Sequence, residues 1–327
     1  MAEQRKRGRR YGWFIGFAAI GALVLVWRHH AEPEKIAHVL EHARPAWLLL
    51  ATALQLLTYP CIAIIWANAI HKSGERAPPF WKLMRLSVAE LFTDQTIPSG
   101  GMSGTVLVVA SLKKRGVDQR GAMAAVISSL AGFYVAQLVA VIAAVVVLAA
   151  SGHFGGWEAT VSIIALVAAV LIPLPLVVSL AGAMDKLPER IRKIKAIDEV
   201  REHIEDAPKD VIFSARVFSV AIALRFAVLA LDGATLALCL VAVGSPIVLV
   251  HPMAAYVLAY VVGTASFLPG GVGTFEVTCS TLLADLGAPF FAAAPATLLM
   301  RALSFWLPMV PGIWFAHREV KKSALPA

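Results

Sequence analysis

The chain has 327 residues, 59% of them hydrophobic and only 15% charged, with a formal net charge of +8 at pH 7. Apolar runs of about 20 residues recur along its whole length, more than a soluble core requires. The composition therefore excludes an ordinary water-soluble enzyme and reads as one membrane domain over 1–327 with no soluble catalytic module.

In chain order, "MAEQRKRGRRYGWFIGFAAIGALVLVW" sets a basic flank before an apolar run. With no small-residue cleavage site before "RHHAEPEK", it predicts an uncleaved anchor helix over 11–27 rather than a signal peptide. His29, His30, His38 and His42 read as a solvated face rather than a metal site. Further spans are predicted over 45–70, 121–150, 158–182, 211–243 and 290–316. Two regions, 79–116 and 250–287, each hold a helix, a Pro-Gly-Gly break and a second helix ending at Gly116 or Gly287. Those second helices run about a dozen residues, ~18 Å at 1.5 Å per residue, too short for a hydrocarbon core of ~30 Å. Both regions are expected to be re-entrant hairpins, with a pair of tilted crossings, which leaves the parity unchanged, as the alternative. The stretch 183–210 carries Ile191, Ile194, Ile197, Val200 and Ile204 at three- and four-residue steps among basic residues. It predicts an amphipathic helix on the inner membrane face, a solvated connector being the alternative. Cys61, Cys239 and Cys279 lie in apolar segments without metal-like spacing, so neither a disulfide framework nor a metal is expected. No cofactor is expected either.

The resulting fold class is all-α: a polytopic integral membrane protein with six transmembrane helices and two re-entrant Pro-Gly-Gly hairpins in an inverted repeat. Three crossings separate the hairpins, so they should open to opposite sides of the membrane. Charge placement agrees. With a cytoplasmic N-terminus, the inside segments 1–10, 71–86, 113–120, 183–210 and 317–327 hold 23 of the 29 Lys and Arg residues, and the outside segments hold three. Both termini are expected to be cytoplasmic. The same loops account for the net positive charge, so nucleic-acid binding is an unnecessary explanation.

Unpaired backbone groups at membrane depth are tolerated only against protein or a wet cavity, so the two breaks predict a cavity. Each break is followed at once by a helix whose first N–H groups are unpaired and partially positive, a geometry suited to an anion. Gly100, Gly101 and Gly104 in "QTIPSGGMSGT", and Gly270, Gly271 and Gly273 in "SFLPGGVGTFE", permit the close backbone approach of phosphate cradles. They are candidate head-group contacts, with a plain hairpin turn as the alternative. Charged residues inside spans are costly unless paired or wet. Glu90, Asp94, Arg225, Asp232, Glu276 and Arg301 are therefore candidate site residues, with structural salt bridges as the alternative. Arg225 and Asp232, seven apart on one helix face, are expected to pair in part, while Arg301 stands alone in the last span. Arginine suits a phosphate or carboxylate, and the carboxylates suit a cationic moiety or a coupling proton.

The stretches "IPSGGMSGTVLVVASLKKRGV", "FLPGGVGTFE" and "RALSFWLPMVPGIW" resemble the flippase-like membrane domain of the lysylphosphatidylglycerol synthase family. The resemblance covers about residues 10–317, and its most specific parts are the Pro-Gly-Gly-x-Gly-x-x-Glu element and the later Arg-x-Leu. It implies a multi-pass protein of the bacterial inner membrane that moves, or assists the movement of, a lipid between leaflets. Full-length members carry a cytoplasmic synthase domain after the membrane domain. This chain stops about ten residues after its last span and is expected to be a stand-alone member, not an enzyme, with membrane lipids and a separate lipid-synthesis enzyme as partners.

Two rivals remain at this level. An ion-coupled carrier of small solutes would use the same inverted repeats and broken helices. An intramembrane serine protease is suggested by "GMSG" at Gly101 to Gly104, with Ser103 as nucleophile and His251 as base. No "GxxxxGK[ST]" element occurs, so ATP drive is not encoded in the chain.

Overall fold

A computed structural model describes residues 38–96, 102–152, 154–181, 208–266 and 268–324. The anchor 11–27, Gly100, Gly101, His29, His30 and all but the end of 183–210 lie outside the described residues. Those described are helical, with no strand among them.

Among the described residues, five helical stretches are long and apolar enough to cross a membrane: 45–72, 119–150, 157–180, 215–242 and 290–319. Their breaks follow from proline. The first is α1 (Pro45–Leu56) and α2 (Thr58–Lys72), which meet at Leu57 because Pro60 has no N–H for the preceding turn. α5 (Gln119–Ala150) is uninterrupted. α6 (Trp157–Leu171) and α7 (Leu174–Leu180) divide at Pro173. The predicted span 211–243 is corrected at its start: residues Lys209–Ile212 form the short α8, and extended Ser214 separates it from α9 (Ala215–Ala242). The last stretch is α12 (Phe290–Arg301), a π turn over Ala302–Trp306 and α13 (Leu307–Ala324). Pro308 cannot donate to the carbonyl four residues back, and the chain rewinds there with a wider turn.

Between these stretches lie two shorter helix pairs: α3 (Phe80–Thr96) with α4 (Met102–Lys113), and α10 (Val250–Ala265) with α11 (Thr274–Asp285). The arms of each pair pack on each other. At 12 residues each, α4 and α11 extend only ~18 Å. The pairs are built alike. Both second arms end in the same cap: Gly116 and Gly287 take φ of +83° and +104°, and the following Val117 and Ala288 donate back to Leu112 and Leu283. The helices before each pair, α2 and α9, also end alike, at Gly74 and Gly244, with Glu75 and Ser245 donating to Ile70 and Leu240. Neighbours match as well. α2 touches α3 and α5, and α9 touches α10 and α12. This is a structural repeat of about 170 residues, the period at which the Pro-Gly-Gly breaks recur.

Each repeat contributes a core. One holds Ile65, Trp66, Leu83, Leu112 and Val126, and the other holds Leu236, Leu258, Leu282, Ala293 and Met300. Small residues set the closest crossings: a Cβ at Gly132 of α5 would come within 2.7 Å of the Ala221 backbone carbon of α9. Large apolar side chains such as Leu49, Val146, Ile163 and Val310 point outward instead, as a lipid-facing surface requires.

Candidate functional site

The second break is a 3-10 turn over Pro269–Gly271, with Gly270 and Gly271 at φ of +59° and +62°. Both glycines are demanded by packing. A Cβ at Gly271 would lie 3.0 Å from the backbone of Gly263, and one at Gly270 would fall on the Phe305 ring and within 3.0 Å of Gln95 Oε1. Gln95 lies in the last turn of α3, so the tip of the second pair rests against the arm leading to the first break. Gly273, at φ +88°, is the N-cap of α11, and its N–H donates to Glu276 Oε2 at 2.5 Å. Glu276 thereby caps its own helix from the third position, where the partial positive charge favours a carboxylate.

Arg301 does not stand alone, as the sequence suggested. Its Nε donates to Glu276 Oε1 at 2.7 Å and an Nη donates to the Gly270 carbonyl at 2.6 Å. Its guanidinium lies 4.9 Å from the Phe275 ring centre and 4.3 Å from that of Phe305. The π turn starts right after it and carries Phe305. Arg301 thus clamps the broken tip from the last membrane helix.

At the first break a different residue does the same work. Asp94, on the arm before the break, accepts the N–H of Gly104 in the first turn of α4 at 2.7 Å. Gly104 has no side chain because none fits: a Cβ there would be 2.8 Å from both Asp94 Oδ1 and Glu90 Cγ. In both pairs, then, a carboxylate occupies an N–H at the helix start that the sequence reading left open to an anion.

Between the two cores lies a cavity of about 310 Å³. Glu90, Asp94, Arg225, Asp232, Gly270, Gly271 and Arg301 line it, while Gly104, Gly273 and Glu276 hold the tips from behind. Glu90 is enclosed by protein yet keeps accessible surface, as a group opening on an internal cavity does. Arg225 and Asp232 do not pair, which corrects the expectation from their spacing. Arg225 donates to Ser129 Oγ at 2.5 Å, lies over Phe133 and acts electrostatically on Glu90 and Asp94. Asp232 accepts from Gln55 Nε2 at 3.0 Å and from the Tyr256 hydroxyl at 2.8 Å. Seven residues span almost two turns, enough for neighbouring helices to offer each group a nearer partner.

Several lining residues escaped the sequence reading: Gln55, Gln95, Tyr134, Gln137, Tyr256 and Tyr260. The available signal was uncharged. Gln55 and Gln137 interrupt otherwise apolar spans, and Tyr256 and Tyr260 sit one turn apart on one helix face. His251 lies elsewhere, near Ser151 Oγ (3.3 Å) and the Leu286 carbonyl (3.2 Å), and the side chain of Ser103 is outside the described residues. Of the histidine cluster, His38 and His42 stack on each other, with Nδ1 of His42 at 2.8 Å from the His38 carbonyl.

The paired broken helices can be compared with known proteins. The curated relative "UPF0104 membrane protein" from Methanothermobacter thermautotrophicus is 39% identical over 61 residues, a stretch that covers 19% of this chain and 18% of that protein. Residues 13–312, nearly the whole chain and both helix pairs with it, match the family described as "Lysylphosphatidylglycerol synthase TM region". With both helix pairs and most of the membrane-length stretches inside that match, the chain belongs to the family of the lysylphosphatidylglycerol synthase transmembrane region.

Proposed function

We propose that this protein moves lipid head groups between the leaflets of the bacterial inner membrane, as a flippase-like translocator rather than an enzyme. One observation carries the reading: the second broken tip meets the arm leading to the first at a cavity that holds Glu90, Asp94, Arg225 and Asp232 among apolar neighbours, inside a bundle whose outer surface is apolar. In hydrocarbon, such a cavity lowers the main barrier to lipid exchange, which is desolvation of the head group. The acyl chains remain in the bilayer.

Among the described residues three membrane-length helices lie between the pairs, as hairpins entering from opposite sides require, and the Lys and Arg placement supports cytoplasmic termini. Rocking of one repeat on the other, across long helices α5 and α9 that both cores share, opens the cavity to each leaflet in turn. A separate lipid-synthesis enzyme supplies the substrate on the cytoplasmic side. Arg225 and Glu90 orient the head group, and Arg301 with Glu276 keeps the tip in shape.

The test is reconstitution of the purified chain into proteoliposomes containing fluorescent lipids, with the outer leaflet bleached by an impermeant reductant. Protein should speed the loss of the inner-leaflet signal, and Glu90→Gln and Arg225→Met should slow it. Rates equal to those of protein-free vesicles for phosphatidylglycerol, phosphatidylethanolamine and glucosyl diacylglycerol alike would refute the proposal.

A further inference from the structure

Asp232 of α9 is the carboxylate that the proposed path leaves without a task. It lies inside a membrane-length helix and opens on the cavity with 8% of its surface exposed. Its partners set it apart from the other acids of the site. Glu276 is held by an arginine and a backbone N–H, Asp94 accepts a backbone N–H, and Glu90 lies in the field of Arg225. Asp232 instead accepts from two neutral side chains, Gln55 Nε2 at Oδ1 and the Tyr256 hydroxyl at Oδ2. Its helix packs on α1, α2, α5, α8, α10 and α12. From α2 and α10 it is faced by neutral hydroxyls, those of Tyr59, Tyr256 and Tyr260. α1 carries no titratable side chain. Arg301 at the end of α12 is engaged by Glu276, while Tyr134 of α5 and Arg225 of α9 itself face Asp94. On α8, Asp210 pairs at the exposed end with Arg120 of α5.

Both partners of Asp232 can serve a carboxylate or a carboxylic acid. A hydroxyl donates or accepts, and a carboxamide offers N–H on one side and C=O on the other. Gln55 Oε1 has no partner as it stands. Turning the amide over brings Oε1 to Asp232 Oδ1 and leaves Nε2 unmet in its place, so one amide atom goes unsatisfied either way. The ionised form thus takes the amide N–H, and the protonated form gives its O–H to the amide oxygen. An arginine would serve only the first, because a guanidinium has no acceptor. A buried charge without a cation is costly at membrane depth, and taking up a proton removes it. We propose that Asp232 is a proton-binding site whose loading and release are coupled to movement of the transported molecule, with Gln55 as the positioning residue that serves both forms. The proton passes from water in the cavity to Oδ1 while the cavity opens to one side, and returns to water once it opens to the other. The coupling rests on the translocation reading; the proton site does not.

The site is read apart from transport by infrared difference spectroscopy of the full chain in phosphatidylcholine nanodiscs, stepped from mildly alkaline to mildly acidic pH. A carboxylic-acid carbonyl band should grow, and Asp232→Asn, which keeps the shape and can keep both hydrogen bonds, should lack it. Gln55→Leu should shift the frequency of that band, because the frequency reports the hydrogen bonding of the acid. Coupling is read in proteoliposomes with fluorescent phosphatidylglycerol, with and without a pH gradient of about one unit, which supplies at most about a tenfold driving ratio per proton. The gradient should speed lipid movement by the parent, and in Asp232→Asn the rates with and without it should be equal, whatever the basal rate. The proton site is overturned if the acid band survives in Asp232→Asn or ignores Gln55→Leu. The coupling is overturned if the parent moves lipid at the same rate with and without the gradient, if Asp232→Asn still responds, or if a sodium gradient at equal pH replaces the pH gradient. An acid band assigned to Asp232 in a protein that moves no lipid would refute translocation, and the coupling with it, and leave the proton site standing.

Discussion

Arg301→Met tests the clamp on the second tip. The substitution keeps much of the side-chain volume but removes the guanidinium. Glu276 is left with the Gly273 N–H as its remaining donor, the Gly270 carbonyl loses the donor at 2.6 Å, and two aromatic faces lose their cation. Breaking a buried, hydrogen-bonded ion pair from one side costs about 3–5 kcal/mol. Side-chain exposures of 9% for Arg301 and 19% for Glu276 place this pair near the lower end, so we expect about 3 kcal/mol. Glu276→Gln keeps an acceptor for Gly273 and should cost less. In the double variant the stranded charge is gone, so the two effects should fall short of their sum by about 1–3 kcal/mol. The assay is denaturant unfolding of the purified protein in nanodiscs, followed by fluorescence of its eight tryptophans and read as a double-mutant cycle. Strict additivity, or a loss under about 0.5 kcal/mol for Arg301→Met, would show that the pair does not hold the tip.

Other consequences follow from close approaches. Gly104→Ala drives a methyl group to 2.8 Å from Asp94 Oδ1 and Glu90 Cγ, so it should cost about 1–3 kcal/mol in the same unfolding assay and slow lipid movement; a neutral result would mean the carboxylates do not sit on that helix start. Gly132→Val pushes α5 from the α9 backbone, where nothing flexible can give way; we expect a loss of about 2 kcal/mol or more, and a stable variant would contradict the helix crossing. Gly271→Ala meets the Gly263 backbone at 3.0 Å in a left-handed conformation and should be worse tolerated than alanine at Gly116, where the same conformation opens on free space; equal midpoints for the two variants would sink that comparison. His251→Phe removes the link between Ser151 and the Leu286 carbonyl, so hydrogen exchange at Gly287 and Ala288 should quicken while the middle of α5 is unchanged, and unaltered exchange there would deny the link.

What the amino-acid order settles alone is what repeats or accumulates along the chain. Hydrocarbon admits only internally paired backbone, so long apolar runs announced the membrane helices, and Pro-Gly-Gly announced the breaks because both residue types act locally on φ and on the N–H supply. The second-arm ends at Gly116 and Gly287 were readable for the same reason: a left-handed cap is a property of one residue. Pairing was not readable. Spacing put Arg225 and Asp232 on one helix face, yet α1, α5 and α10 brought Gln55, Ser129 and Tyr256 closer, and Arg301 reached a carboxylate 25 residues back. The unmet amides of Gln55 and Gln137 are also a tertiary fact, since a polar side chain in an apolar run shows its cost only once every neighbour that might satisfy it is in place. Local chemistry wrote the helices and their breaks; which charges cancel, and which polar atoms go without a partner, was decided by helix contacts between residues far apart in the chain.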